Sequence, residues 1–375
     1  MSRPPPPLVA VVLPPREGFG PGRAGAIGLL VRRLAQMPGF ETIVFGGKQD
    51  APPFADVRFQ AVAPSRWTLG SANVRYAAGV ADQLKALHPA LIEVHNRPEI
   101  ALALAARRPD VPTTLVLHND PPAMRQAATP AQRVRLLRHM ALVMTPSAYL
   151  RDRLLEGVGN VPRPPVVVPN CIDLTELPPP RSRENLILFA GRVVDNKAPD
   201  AFVEACATAL PALPGWQAQI IGADRFRSDS PDTDFVIGVR ADAERAGVQM
   251  LGYRDHPDVL EAMARAAIVV VPSRWPEPFG LVALEALASG AALICSPRGA
   301  LPEVAGDAAL YADPDRPAEI AAAIRSLAGD PARRAALAEA GRARAKRFDV
   351  TQVREQLAAL RRSVLRRSAL RPPGG

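Results

Sequence analysis

Short β-branched apolar runs alternate with longer stretches of helical period along nearly the whole chain, the pattern of strand–helix units wound around parallel sheets. Residues 8–13, 42–45, 57–62, 91–94, 113–118, 142–145 and 166–168 predict strands in the first half. In the second half the same reading falls on 186–190, 217–221, 248–251, 268–271 and 292–295. Residues 27–37 have the amphipathic period of a helix. Residues 163–184 hold six prolines and read as a stiff, extended connection. From Asp330 onward the chain is rich in Ala, Arg and Leu, without a proline between Pro331 and Pro372, and predicts one or two closing helices. The expected organisation is a first αβα domain at 1–172, a linker at 173–184, a second αβα domain at 185–348, and a closing helix with a basic tail at 349–375 returning toward the first. Two such sandwiches would face each other across a cleft at the carboxyl ends of their strands, where ligands of these folds bind.

Composition narrows the class. With 375 residues, 48% hydrophobic and 22% charged, the chain is globular in type. Its longest apolar runs, such as 266–271, fall far short of the ~18 residues of a membrane span. Residues 8–13 are hemmed in by prolines and shorter than the ~7–15 of a signal-peptide core, so a cytoplasmic setting is expected. Cys171, Cys206 and Cys295 are too far apart in sequence for a CxxC pair and read as buried small hydrophobes. The net charge of +9 favours anionic partners: phosphates, nucleic acid or an acidic membrane face. The aromatics, 11 Phe, 4 Tyr and 3 Trp, are not interleaved with the basic runs, so nucleic acid is not an expected partner.

Two stretches could carry chemistry. In residues 272–290, Glu277 and Glu285 are separated by seven residues, Pro278 suits a first helical turn and Gly290 a stop. Leu281, Glu285 and Ala288 then share one face, so Glu285 sits in an apolar stripe and needs a partner, either a ligand hydroxyl or an arginine of the chain. The backbone N–H groups of Phe279, Gly280 and Leu281 at the helix start would offer an anion site. In residues 189–202, Gly191 lets the chain turn, and Arg192 and Lys197 place two cations near the end of a strand, where a diphosphate could be neutralised. Solvated loop cations are the plainer alternative.

Gly191-Arg192 with Lys197, followed by Glu277-Pro-Phe-Gly-Leu and Glu285-Ala-Leu-Ala-Ser-Gly, resembles the signature of retaining family-4 (group 1) glycosyltransferases of the GT-B fold, which has two Rossmann-like domains. Residues 167–173, Val-Val-Pro-Asn-Cys-Ile-Asp, are similar to the family's PNGVD segment, and Pro302-Glu303-Val304 to its later PEV turn. Leu251-Gly252-Tyr253 resembles the segment beside the nucleotide base. The likeness covers nearly the whole chain, densely in the second half. It departs from the family at Ala198 and Cys171, each in place of a glycine, and at Arg347-Phe348-Asp349-Val350, which lacks the family's tryptophan.

The resemblance implies a nucleoside-diphosphate sugar as donor, bound by the second domain, with no cofactor and no metal required. Arg192 and Lys197 would hold the diphosphate and stabilise its departure. Glu277 would contact hydroxyls of the transferred sugar and Glu285 those of the ribose, with Gly191, Tyr253, Phe279, Gly280 and Leu281 also on the donor. The family commonly carries a histidine where His118 stands, against the donor sugar or the acceptor. His95, in His95-Asn96-Arg97-Pro98, suits an acceptor-side or structural role. His88, His139 and His256 show no partner in sequence and read as surface or helix residues.

The segment from Gly18 to Gly28 contains a G-x-G-x-x-G match at Gly20, Gly22 and Gly25, the dinucleotide-binding pattern, but no acidic residue closes a following strand. In the glycosyltransferase reading this loop faces the diphosphate, with Gly22 on the donor and Arg23 near donor or acceptor. Asp232-Thr233-Asp234 has the D-x-D spacing of metal-dependent transferases of another fold, in a polar loop that argues against a metal. Arg361, Arg362, Arg366, Arg367 and Arg371 make the last helix basic, suited to an anionic membrane or simply exposed on a packed closing helix. The expected function is therefore hexosyl transfer to a glycan or lipid-linked acceptor in bacterial envelope polysaccharide assembly. A catalytically idle sugar-nucleotide or glycan-binding protein of the same fold, and a sugar-nucleotide epimerase, are the alternatives.

Overall fold

The computed structural model describes residues 5–225 and 232–370. Arg371 of the basic tail and part of the polar loop before Asp232 lie outside the described residues. The chain divides into two compact units, one formed by the first 171 residues together with the segment from Val350 onward, the other by Ile172–Asp349.

In the first unit the elements are β1 (Leu8–Val12), α1 (Ala26–Ala35), β2 (Glu41–Gly47), β3 (Phe59–Val62), α2 (Ala72–Leu87), β4 (Leu91–His95), α3 (Pro98–Arg107), β5 (Thr113–Val116), α4 (Pro130–His139), β6 (Leu142–Thr145), α5 (Ala148–Leu155) and β7 (Val166–Val167). The strands form one parallel sheet in the order β3-β2-β1-β4-β5-β6-β7. Strands buried on both faces need continuous apolar runs, and Val9, Ala10, Val11 and Val12 of β1 are all inaccessible or nearly so. One face packs Tyr76, Val80 and Leu84 of α2 with Ile100 and Leu104 of α3; the other packs Leu30, Val31 and Leu34 of α1.

The second unit contains β8 (Glu184–Ala190), α6 (Pro199–Ala209), β9 (Gln217–Ile221), α7 (Asp234–Arg245), β10 (Val248–Met250), α8 (His256–Arg265), β11 (Ala266–Val271), α9 (Leu281–Ser289), β12 (Ala292–Cys295), α10 (Leu301–Ala305), β13 (Ala309–Tyr311), α11 (Pro317–Gly329) and α12 (Pro331–Ala345). Its parallel sheet runs β10-β9-β8-β11-β12-β13. Each sheet reverses its strand order once, between β1 and β4 and between β8 and β11, and in such sheets the crevice at the strands' carboxyl ends is opened at that reversal.

The final helix, α13 (Val350–Ala369), belongs to the first unit, where Val350, Val353, Leu357 and Val364 are buried with α1 and β6 residues. The Arg354 Nε donates to the carbonyl of Arg33 at 2.8 Å, and the Arg33 guanidinium donates to the Cys171 carbonyl at 3.1 Å. Cys171 keeps an ordinary negative φ, so the residue in place of the family's glycine costs nothing in backbone strain. All three cysteines are buried. No helix among the described residues is long and apolar enough to cross a membrane.

Two expectations need correction, and one strand has no counterpart in the pattern. β13 was not visible in the pattern; its three residues, Ala-Leu-Tyr, are too few to show an alternation. The strand read at 113–118 stops at Val116, leaving His118 two residues beyond it. Arg361 is no surface cation: it is 3% exposed and inside the first unit.

Candidate active site

The reversal in the second sheet gathers the residues from both motifs. After β8 the chain turns at Gly191, passes the half-buried Arg192, and reaches Lys197 at the end of a short 3-10 turn. Ala198 follows in the left-handed region, φ 56°, and opens α6; the residue that departs from the family's glycine therefore keeps a glycine-like backbone, which costs an alanine roughly 1–2 kcal/mol. From the loop after β11, Glu277 meets Lys197 in an ion pair. The Ser273 Oγ donates to Glu277 Oε1 at 2.6 Å, and the Glu277 backbone carbonyl accepts from Ala300 N at 2.8 Å. An ammonium has three donors, so the pair with Glu277 leaves Lys197 able to meet an oxyanion as well.

The two loops are tied by charge. The Arg274 guanidinium spans Asp200 at 2.7 and 2.8 Å and also reaches Asp195, and the Trp275 N–H donates to the Asn196 carbonyl at 3.0 Å. Gly299 runs beside Glu277 in a parallel bridge, at φ 63° and so close that a Cβ there would lie 2.4 Å from the Glu277 backbone N and O. Ser273, Arg274 and Gly299 were missed in the sequence, where none stands out from an ordinary loop.

Glu285 lies on α9, 7% exposed, with its Oε1 2.7 Å from His256 Nε2. The partner is therefore a histidine at the start of α8 and not an arginine, and His256, read as partnerless, is in contact with the candidate residue Glu285. The start of α9 also differs from expectation. Gly280 is its N-cap at φ 97°, and the first turn is Leu281, Val282 and Ala283. Pro278 precedes the helix by three residues, and the Phe279 ring is buried edge-on against Phe348 at 5.6 Å. Donors at this helix mouth thus come from Gly280 onward, with only the backbone of Phe279 nearby. Tyr253 lies in the loop after β10, its hydroxyl donating to Asp255 Oδ1 at 3.1 Å.

In the first unit, β4 and β5 bring two of the candidate histidines into contact: His95 Nδ1 is 3.0 Å from His118 Nε2, with the rings nearly parallel. His95 Nε2 faces Glu93 Oε1 at 3.4 Å, and Glu93 accepts from Arg361 Nη2 at 2.7 Å and Nε at 3.1 Å. Glu93 and His95 are each 2% exposed. Burial alone would raise the Glu93 carboxyl, but Arg361 and His95 hold it down, at about 2. Burial, and then the neighbouring His95, pushes the His118 imidazole well below its ordinary value. Asn96, left-handed at φ 55°, accepts the His118 N–H on its Oδ1 at 3.1 Å and so fixes the turn that carries His118.

The glycine-rich loop after β1 is braced by its own carboxylate. Glu17 Oε1 accepts from Gly28 N at 3.1 Å at the start of α1, whose N-cap, Gly25, has no side chain to do so. Burial raises the Glu17 carboxyl, against the pull of the Gly28 N–H and Arg97. Gly22 and Arg23 are exposed in this loop. Asp232 pairs with Arg240 at 2.7 Å, and no group of three or more His, Cys, Asp or Glu among the described residues is placed to hold a metal ion.

Two family descriptions match successive parts of the chain: Glycosyltransferase Family 4 over residues 27–176 and Glycosyl transferases group 1 over residues 176–344. Among curated proteins, the glycogen synthase of Mycobacterium tuberculosis is 30% identical over 264 residues, covering 63% of this chain and 60% of the relative's length. The chain thus matches about 60% of the length of such relatives. Among solved structures, sucrose-phosphate synthase from Thermosynechococcus elongatus superposes with a TM-score of 0.77 at 20% identity, over 96% of this chain and 100% of the other. HepE of Anabaena, solved in complex with UDP, gives a TM-score of 0.76 at 20% identity over 95% and 100%. With both matched regions abutting and the fold shared from end to end, this chain belongs to the group 1 glycosyltransferases and has the GT-B fold.

Proposed function

We propose that this protein is a retaining glycosyltransferase that moves a hexose-type sugar from a nucleoside diphosphate to a glycan or lipid-linked acceptor, without a metal, in bacterial envelope polysaccharide assembly. The observation that carries the reading is the Lys197–Glu277 pair at the reversal of the second sheet, with Arg192 on the same loop and Glu285 on the following helix. Arg192 and Lys197 supply positive charge where a diphosphate leaves, the role in which preorganised electrostatics is worth most. Glu277, held by Ser273, accepts from hydroxyls of the transferred sugar; Glu285, steadied by His256, accepts from the ribose. The bond from the anomeric carbon to the diphosphate oxygen breaks, the acceptor oxygen takes its place on the same face, and the acceptor proton passes to the departing phosphate.

UDP is the first nucleotide to test, because the HepE structure of the same fold holds it. Exposed Trp67 and Leu69 in the loop after β3, with exposed Arg362, Arg366 and Arg367 on α13, support peripheral contact with an anionic membrane that carries the acceptor. The test is a thermal-shift panel with UDP, GDP, ADP and their sugar conjugates, with and without EDTA, followed by transfer assays in which the anomeric configuration of the product is read by NMR. An EDTA-insensitive response to one base and a product of retained configuration are expected. A flat response to every nucleotide in folded protein, or an inverted product, overturns the reading.

A further inference from the structure

The first unit contains a line of four side chains that the transfer chemistry above does not use: Arg361, Glu93, His95 and His118. Three of them are almost fully inaccessible, and the fourth ends the line at the carboxyl end of the sheet. Arg361 donates two hydrogen bonds to Glu93, so Glu93 is a carboxylate and can only accept. The ring nitrogen of His95 that faces it, Nε2, must then carry a proton, because a bare nitrogen there would set a lone pair against a negative oxygen. When His95 is neutral it has one N–H, so its Nδ1 is then bare and accepts. Its partner 3.0 Å away, His118 Nε2, must therefore donate. That spends the single proton of a neutral His118 inside the protein.

We propose that Arg361, Glu93 and His95 are positioning residues that fix His118 in the Nε2–H tautomer, so that its bare Nδ1 meets the substrate as a hydrogen-bond acceptor for a sugar hydroxyl. This rests on the reading of His118 as a substrate-facing group. A bare Nδ1 can take a hydroxyl proton into a hydrogen bond and cannot donate to a phosphate oxygen, so the relay selects the sugar side of the substrate over its diphosphate. Burial supports the neutral state the argument needs, since it pushes His118 well below the ordinary imidazole range. The relay also gives the last helix a function in the site: α13 returns to the first unit and places Arg361 under β4.

The first measurement needs no substrate. Long-range 1H–15N spectra of 15N-histidine-labelled protein at about pH 8, above the ordinary imidazole value, report which ring nitrogen carries the proton, and the His118→Asn spectrum assigns the signal. The expected result is His118 protonated on Nε2 and bare on Nδ1; a proton on Nδ1 overturns the proposal. The second measurement uses Glu93→Gln with Arg361→Met in one chain, which removes the buried pair together and leaves neither charge alone. This variant should show the thermal response of wild type to nucleotide, a mixed His118 tautomer, and kcat lowered roughly 10- to 100-fold, the usual cost of losing a partner that orients a histidine, with the donor KM little changed. A folded double variant with the wild-type tautomer or wild-type kcat overturns the relay. Should no sugar nucleotide prove to be a substrate, the spectra still decide the tautomer, so failure of the transferase reading and failure of the relay are separable.

Discussion

Lys197 and Glu277 come from loops eighty residues apart and meet as an ion pair where the second sheet reverses its strand order. The pair joins the two charged motifs into one site. Under the proposed function, a diphosphate at Lys197 would share that ammonium with Glu277.

Removing either cation should therefore damage turnover more than folding. Lys197→Ala and Arg192→Ala are each expected to lower kcat by about 10²–10³, the usual loss when one preorganised stabiliser of developing charge is removed. Far-UV circular dichroism should stay at wild type. Steady-state transfer assays check this, and near-wild-type turnover in both variants would rule out leaving-group stabilisation by these residues.

The His256–Glu285 contact makes a separate prediction about nucleotide binding. At 100 times Kd, a ligand adds about 2.7 kcal/mol of stability, so loss of binding is visible as loss of a thermal shift. Glu285→Ala should abolish the nucleotide-induced rise in Tm. His256→Ala should reduce it, because Glu285 loses the contact at 2.7 Å that holds its carboxylate. An unchanged shift in both variants would place the ribose elsewhere.

Much of this arrangement was legible in the sequence, and the boundary of what was not has physical reasons. Strands such as 142–145 and 292–295 were read at their observed ends, because a buried parallel strand is a continuous apolar run stopped by polar or small residues. Lys197 and Glu285 could be read because a charge at the end of a buried strand or inside an apolar helix stripe must find a counter-charge, a hydrogen-bond partner or a ligand. Their partners could not. His256, Ser273 and Arg361 are ordinary residues on local grounds, and only the fold brings them within hydrogen-bond distance of Glu285, Glu277 and Glu93. The start of α9 was misplaced because Pro278 suits a first turn so well, whereas the left-handed Gly280 delays the helix to Leu281.

Gly299 tests how tightly the Glu277 loop is built. A methyl group there would press on the Glu277 backbone and would have to be carried at φ 63°. Gly299→Ala is expected to cost about 1–3 kcal/mol of stability and to lower activity by displacing Glu277. Gly238→Ala, in the exposed interior of α7 with open space around it, should instead stabilise by roughly 0.5–1 kcal/mol. Urea titrations of the two variants measure both, and similar effects in the two would refute the tight approach at Gly299.

The Glu93–His95–His118 line also sets the acid stability of the protein. His118 is held well below its ordinary value of 6.5, so as pH falls past that value the unfolded chain takes up a proton that the native state refuses, and stability falls. Glu93 acts lower down. Its folded value of about 2 lies below the ordinary 4.5, so its contribution is complete above 4.5 and is lost as pH falls toward 2. The urea midpoint of wild type should therefore begin to drop as pH passes below 6.5 and drop more steeply below 4.5. Other carboxylates titrate in the lower range, so the discriminating comparison is His118→Asn, which has no imidazole to protonate. Its midpoint should fall less than that of wild type as pH drops below 6.5, and the gap should keep widening until the native His118 itself takes a proton. Parallel curves throughout would mean that His118 takes its proton as readily in the native state as in the unfolded chain, and the support that burial lends to a neutral His118 would be lost with them.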